Sequence, residues 1–196
     1  MKIEKYNISI IFISLTLIAL IYSGCKKEDP QPTGTTNLKI SLINSVSTKG
    51  AYISANGAYE SVNIDIQKVS IHVSSDSSAN SGWFDLETNT GVYDLLDYTA
   101  GNDTLIAFDT LLQTQNISQI RLLLGNNNTI VDDGKTYELE TPSGQTSGLK
   151  VQVHADLKAG FAYKILLDFD AEKSIIKTGN GKYKLKPIIN TTVMQQ

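Results

Sequence analysis

The chain has 196 residues, 41% of them hydrophobic and 19% charged, and 17 basic against 20 acidic side chains give a net charge of −3. That is apolar material for one packed domain. A mildly acidic chain with a single arginine, Arg121, is poorly matched to a phosphate backbone, so nucleic acid is not an expected partner, and a single cysteine, Cys25, excludes an intramolecular disulfide.

The chain opens with Lys2 and Lys5, an apolar run from Ile8 to Ile21, and then Tyr22-Ser23-Gly24-Cys25. A charged start, a short apolar stretch and small residues before a cut are the parts of a secretory signal. The run of 14 residues is short for a spanning helix, which needs roughly 20. Cysteine directly after Ser-Gly resembles the bacterial lipobox, in which that cysteine takes the lipid and becomes the first mature residue. Tyr22 stands where Leu, Val or Ala is usual. The alternatives are an uncleaved anchor and an ordinary signal. Residues 1–24 are thus expected to be a lipoprotein signal peptide, and their removal leaves 15 basic against 19 acidic side chains, a net −4. Two acyl chains suffice for a stable anchor.

Residues 25–37 read as the lipidated cysteine and a flexible tether. Pro30, Pro32, Gly34 and three threonines bring no apolar residue, so ordering them would bury too little to offset the entropy lost. Lys26 to Asn37 reaches roughly 40 Å fully extended. The Cys25-Lys26-Lys27-Glu28-Asp29 string resembles the acidic signals that Bacteroidota-type lipoproteins carry just after the lipidated cysteine to reach the cell surface; a plain solvated tether is the alternative reading.

Residues 38–193 are expected to form the folded domain. Leu38–Leu42 alternates with period two, the mark of a half-buried strand. Ser61–Val73 alternates with one slip: Val62, Ile64 and Ile66 share one parity, and Val69, Ile71 and Val73 the other. A bulge near Gln67-Lys68 would produce that slip. Further strands are expected at Trp83–Leu86, Val92–Leu96, Ile117–Leu124, Thr129–Val131, Thr136–Leu139, Leu149–Val153, Phe161–Phe169 and Tyr183–Val193. Turn residues separate them, at Gly125–Asn128, Asp132–Gly134, Pro142–Gly144 and Gly179–Gly181. Short helical pieces are expected within Asp103–Leu112 and Ala171–Ile176. Lys182, Lys184 and Lys186 share one parity and suggest a protected sheet edge. The pattern gives an all-β, single-domain antiparallel β-sandwich, immunoglobulin-like or transthyretin-like, with one or two short helical turns.

Several strings carry a resemblance: Tyr93-Asp94-Leu95-Leu96-Asp97, Gln119–Leu124, Thr141–Lys150, and above all Leu167–Ile175 with Gly179–Tyr183. Their wording and order resemble the domain-of-unknown-function family 4382, over about residues 38–191. The resemblance implies a β-sandwich in a secreted bacterial protein or lipoprotein, and no catalytic residue. The chain departs from the family's pattern after Leu42, where Asn44–Gly57 replaces a shorter turn.

Candidate sites are few. Asp168, Asp170 and Glu172 form the densest set of oxygen ligands, of the kind Ca²⁺ takes, although Asp170 could instead cap the following helical turn and Asp168 pair with Arg121 or a lysine. The same carboxylates could in principle serve glycoside hydrolysis if they faced one cleft. Arg121, on a nearly continuous apolar strand, could clamp an anion or pair across the sheet. Trp83 could stack a sugar, or sit half-buried at the rim with Phe84 in the core. His72 and His154 lack a zinc-ligand spacing, and no nucleophile elbow or phosphate loop is present.

The expectation is therefore a lipid-anchored envelope protein of the outer membrane, on its cell-surface or periplasmic face. Its role is non-catalytic binding or structural, with no cofactor and with an envelope protein or glycan as possible partner. A pilus-like or adhesin subunit and a carboxylate-dependent hydrolase are the alternatives.

Overall fold

The computed structural model describes residues 34–45, 59–74, 82–99, 101–112, 115–142 and 144–196. The leader, Cys25, most of the tether and most of the Asn44–Gly57 stretch lie outside the described residues.

The fold is a β-sandwich. Its smaller sheet has five strands, β1 (Thr35–Ile43), β4 (Glu87–Thr88), β6 (Thr104–Leu112), β11 (Ala162–Phe169) and β14 (Ile189–Gln195), in the order β14-β11-β1-β6-β4. The larger follows the path β10 (Leu149–Leu157), β7 (Gln115–Leu124), β2 (Ser61–Val73), β8 (Thr129–Asp132), β9 (Lys135–Glu140), β13 (Tyr183–Leu185), β12 (Ile175–Lys177), and β3 (Gly82–Asp85) and β5 (Gly91–Asp94) also pair with β2. Each sheet contains one parallel pairing, β1 with β11 and β9 with β13. The other pairings are antiparallel.

Alternation puts Leu38, Ile40 and Leu42 of β1 and Tyr163, Ile165, Leu167 and Phe169 of β11 into the core from one side. From the other come Val62, Ile64, Ile66, Val69, Ile71 and Val73 of β2 and Ile117, Ile120, Leu122 and Leu124 of β7. β2 keeps both halves of its apolar pattern inside by a bulge. Ile66 pairs with Leu124 and Lys68 with Leu123, so Gln67 has no partner on β7 and parity changes there. The slip read from the sequence is this bulge.

Two segments depart from the pattern's expectation. Asp103–Leu112, expected to hold a helical piece, is mostly strand β6, since β1 and β4 lie on its two edges and bond its backbone groups. Its bulge at Ile106 buries both Ile106 and Ala107, which blurs the period-two signal. The second helical piece is a single turn, α1 (Ala171–Ser174), after which Ile175 begins β12. A 3-10 turn at Leu95–Asp97 ends the expected Val92–Leu96 strand early. Pro187 lies in the break between β13 and β14, where Tyr183–Val193 read as one strand. Nor is β13 an edge. It lies between β9 and β12, and Lys182 and Lys184 lie 3.3 and 3.5 Å from Glu140 rather than guarding a free strand.

The β8–β9–β13–β12 end is tied by one polar knot. Tyr183, fully buried, donates its hydroxyl to Asp132, and Lys177 Nζ bonds the same carboxylate oxygen at 2.9 Å. Tyr59 and Tyr137 pack on the Tyr183 ring at 6.1 and 5.1 Å between centroids. The Tyr183 hydroxyl, then Lys177, hold the Asp132 carboxyl below its ordinary value of 3.8 against the opposing effect of burial. A carboxyl whose pKa is lower folded than unfolded stabilises fully above the unfolded value and loses that contribution as pH falls through the folded one. Acidification below pH 3.8 is therefore expected to lower the denaturant midpoint more steeply for the native chain than for Asp132→Asn. Parallel pH profiles would contradict the role of this knot.

Candidate functional site

The bulge at Gln67 sends Val69, Ile71 and Val73 inward, and so it turns Lys68, Ser70 and His72 to the outer face of the larger sheet. Register aligns that face into rows across four strands. Lys150, Arg121, Ser70 and Asp85 form one row, from β10 through β7 and β2 to β3. Gln152, Gln119, His72 and Trp83 form the next. Trp83 and Arg121, 38 positions apart in sequence, are thereby brought together. The Arg121 guanidinium carbon lies 4.4 Å from the Trp83 ring centroid, a cation–π distance. Lys150 Nζ is 5.9 Å from the same ring, and His72 meets it edge-on at 5.2 Å.

Each member is positioned by its neighbours. His72 Nδ1 is 2.8 Å from the Ser118 hydroxyl. Asp85 accepts from Lys68 Nζ at 2.8 Å and from Ser70 Oγ at 2.7 Å. Lys68, then Ser70, hold the Asp85 carboxyl below its ordinary value, with a smaller pull from Arg121. Among the described residues, Arg121 itself donates only to Ser70 Oγ, at 3.5 Å. Its stem lies on Gly148, where a Cβ would stand 2.7 Å from Arg121 Cγ and 3.0 Å from the Leu122 carbonyl oxygen. Gly148 also has φ +73°, a conformation that side chains with a Cβ rarely adopt. Glycine is therefore what lets the arginine lie across the sheet toward Trp83.

Among the described residues, the ion pairs use Lys68, Lys164, Lys173, Lys177, Lys182 and Lys184, and none uses Arg121 or Lys150. Two cations thus converge on one aromatic ring without a paired carboxylate. A stacked guanidinium keeps its N–H edge in plane and open to a forked acceptor.

The acidic set is arranged differently. Asp168, on the outer face of β11, accepts from the backbone N–H of Ser45 at 2.9 Å and from the Ser45 hydroxyl. Among the described residues it pairs neither with Arg121, which belongs to the other sheet, nor with a lysine. Asp170 is buried and caps α1, accepting from Lys173 N at 3.1 Å and Lys173 Nζ at 2.8 Å. Glu172 is exposed in the first turn. The three are not gathered, and among the described residues no group of three or more potential metal ligands occurs. Phe84, expected in the core, is 47% exposed at the mouth of a cleft of about 300 Å³ between the sheets, with Ile71, Val73, Leu86 and Leu111 as its apolar lining. Among the described residues β3 has β2 on one edge only, so the sheet ends there and leaves the ring uncovered.

Reading the sequence singled out Trp83 and Arg121 but not Ser70, Lys150 or Gly148. Only the strand register joins these, and no local signal could have found them. Gly148→Ala is expected to displace the Arg121 stem and add backbone strain of about 1–3 kcal/mol. Trp83 is the only tryptophan of the chain, so its fluorescence should shift in that variant while the far-ultraviolet β signal persists. Emission identical to the native protein would show that Gly148 does not set the arginine's position.

No curated protein and no solved structure matches the chain. The family model described as domain of unknown function (DUF4382) matches residues 35–187, a span that runs from the first residue of β1 to the break before β14. By that match, which covers most of the sequence, the chain belongs to the DUF4382 family.

Proposed function

We propose that this protein is a non-catalytic binding domain, held at the bacterial outer membrane through a lipidated Cys25 and presented on the tether that runs from there to β1. We place its binding surface on the outer face of the larger sheet, around Trp83 and Arg121. The observation that carries this reading is the convergence of Arg121 and Lys150, neither of them in an ion pair among the described residues, on the single tryptophan. An aromatic ring flanked by donors, on a flat face with the amides of Gln119 and Gln152 in register, suits a ligand that has both an apolar surface and hydroxyls. The lipobox-like Ser23-Gly24-Cys25 and the proline- and threonine-rich stretch after it support display at the envelope.

The other readings find less support. A hydrolase would need free carboxylates facing one cleft, whereas Asp168 is engaged by Ser45 and Asp170 by the α1 turn and Lys173. An assembly subunit that accepts a partner strand would need a long open edge. The smaller sheet ends on β4, two residues long, and on β14, whose Thr191 hydroxyl reaches the Gln152 carbonyl of β10 at 3.3 Å.

Three measurements test the proposal. The native protein should take up a palmitate analogue, and Cys25→Ala should not; an unlabelled native protein would refute the lipid anchor. Purified protein should bind glycans on an array, and Trp83→Ala should lose those signals. Turnover of glycoside, ester or peptide substrates that Asp168→Ala abolishes in a folded protein would overturn the non-catalytic reading.

A further inference from the structure

The Arg121–Trp83–Lys150 cluster has a charge pattern that narrows its ligand. Lys68 lies beside the cluster but is already neutralised by Asp85 at 2.8 Å. What remains is two positive groups on neighbouring strands, β7 and β10, in register with each other and facing the same solvent. They stand on a chain whose net charge is negative. Arg121 cannot swing away freely, because Gly148 receives its stem and Trp83 its guanidinium plane. Its donors are thus pre-organised and, among the described residues, make only the long contact to Ser70.

We propose that this face binds an acidic polysaccharide, with a uronic-acid carboxylate received by the Arg121 fork and by Lys150. The inference rests on the binding reading given above and adds the ligand's chemical class. The neighbouring row, Gln152, Gln119, His72 and Trp83, supplies amide and imidazole groups for ring hydroxyls and the aromatic body for a sugar's apolar side. The four strands β10, β7, β2 and β3 make a platform about 14 Å across. On it Arg121 and Lys150 stand on adjacent strands, close enough to receive one carboxylate together, whereas two cations outside ion pairs among the described residues are few for the run of phosphates along a nucleic acid. A phospholipid surface suits it less, since Leu123 is the only aliphatic side chain alternating with these polar groups on β7.

The test titrates the full-length protein, solubilised in detergent, with oligogalacturonate and with the same oligomer after its carboxyl groups are reduced. Emission from Trp83 reports binding, and calorimetry serves the variants. The acidic oligomer is expected to bind roughly tenfold or more tightly than the reduced one, with affinity that falls as salt rises. Arg121→Gln should lose that preference, and Lys150→Gln, an exposed change that leaves the core untouched, should weaken it. Equal binding of both oligomers, lost in Trp83→Ala, would overturn the acidic ligand while leaving the face as the binding surface. Acidic binding that survives in both charge variants would overturn the site. Binding of neither oligomer would overturn the inference, with the glycan array deciding separately whether the face binds any sugar. Binding only to vesicles of anionic phospholipid would likewise overturn it and assign the face to a membrane surface.

Discussion

One unpaired residue on β2, Gln67, organises the larger sheet. β2 is 13 residues long and has partners on both edges: β7 and then β8 on one, β3 and then β5 on the other. A strand of that length with strict alternation would put Val69, Ile71 and Val73 in water, because side chains alternate with period two. The bulge changes parity and keeps all six apolar residues inside. At the energy of roughly 1.5–3 kcal/mol for burying one aliphatic side chain, three such residues outweigh the ladder bond that the bulge gives up.

The neighbours of β2 break where it bulges. On one edge β7 ends at Leu124, and Gly125–Asn128 carries the chain across to β8. The Asp65 carboxylate lies buried under that crossing and accepts from Gln67 Nε2 and from the backbone and side-chain nitrogens of Asn127, both at 3.1 Å. Gly125 must be glycine here, since a Cβ would stand 2.2 Å from the Asp65 carboxylate. On the other edge β3 gives way to β4, which leaves to pair with β6 of the opposite sheet before β5 returns to β2. The backbone of Val69, left without a strand partner on that side, bonds instead to Leu86 N and to the Thr88 hydroxyl. A buried carboxylate is costly to leave without its donors, so the Asp65 bonds to Gln67 and Asn127 tie the crossing to the bulge.

The same bulge makes the candidate site. By turning Ser70 and His72 outward it sets them between β7 and β3, and so gives Arg121 and Trp83 a polar floor on which to meet. Folding and the candidate site are thus coupled through one local irregularity. The carboxylates that look most chemical in the sequence are bonded to segments just beyond strand ends, Asp168 to Ser45 and Asp170 to the α1 turn. The fold places its open cations on the larger sheet and its acidic string at the β11 end of the smaller one.

Much of this was legible in the sequence. Period-two patterns located most of the longer strands, and the parity slip located the bulge, because burial of one sheet face imposes alternation residue by residue. Turn residues marked the crossings at Gly125–Asn128 and Asp132–Gly134. Strand β6 was not legible, since its own bulge at Ile106 scrambles the alternation, and β4 and β12 are too short to carry a pattern. Trp83 and Arg121 stood out singly by residue type. Their meeting, the service of Gly148 to Arg121 and the contribution of Lys150 could not be read, for they depend on strands distant in sequence lying in one register. In the long alternating strands the sequence by itself determined which residues face inward, because that is a local consequence of side-chain alternation. Which strands lie side by side, and therefore which polar groups share a face, was decided only by the tertiary structure, because pairing is a choice among distant partners that local pattern does not encode.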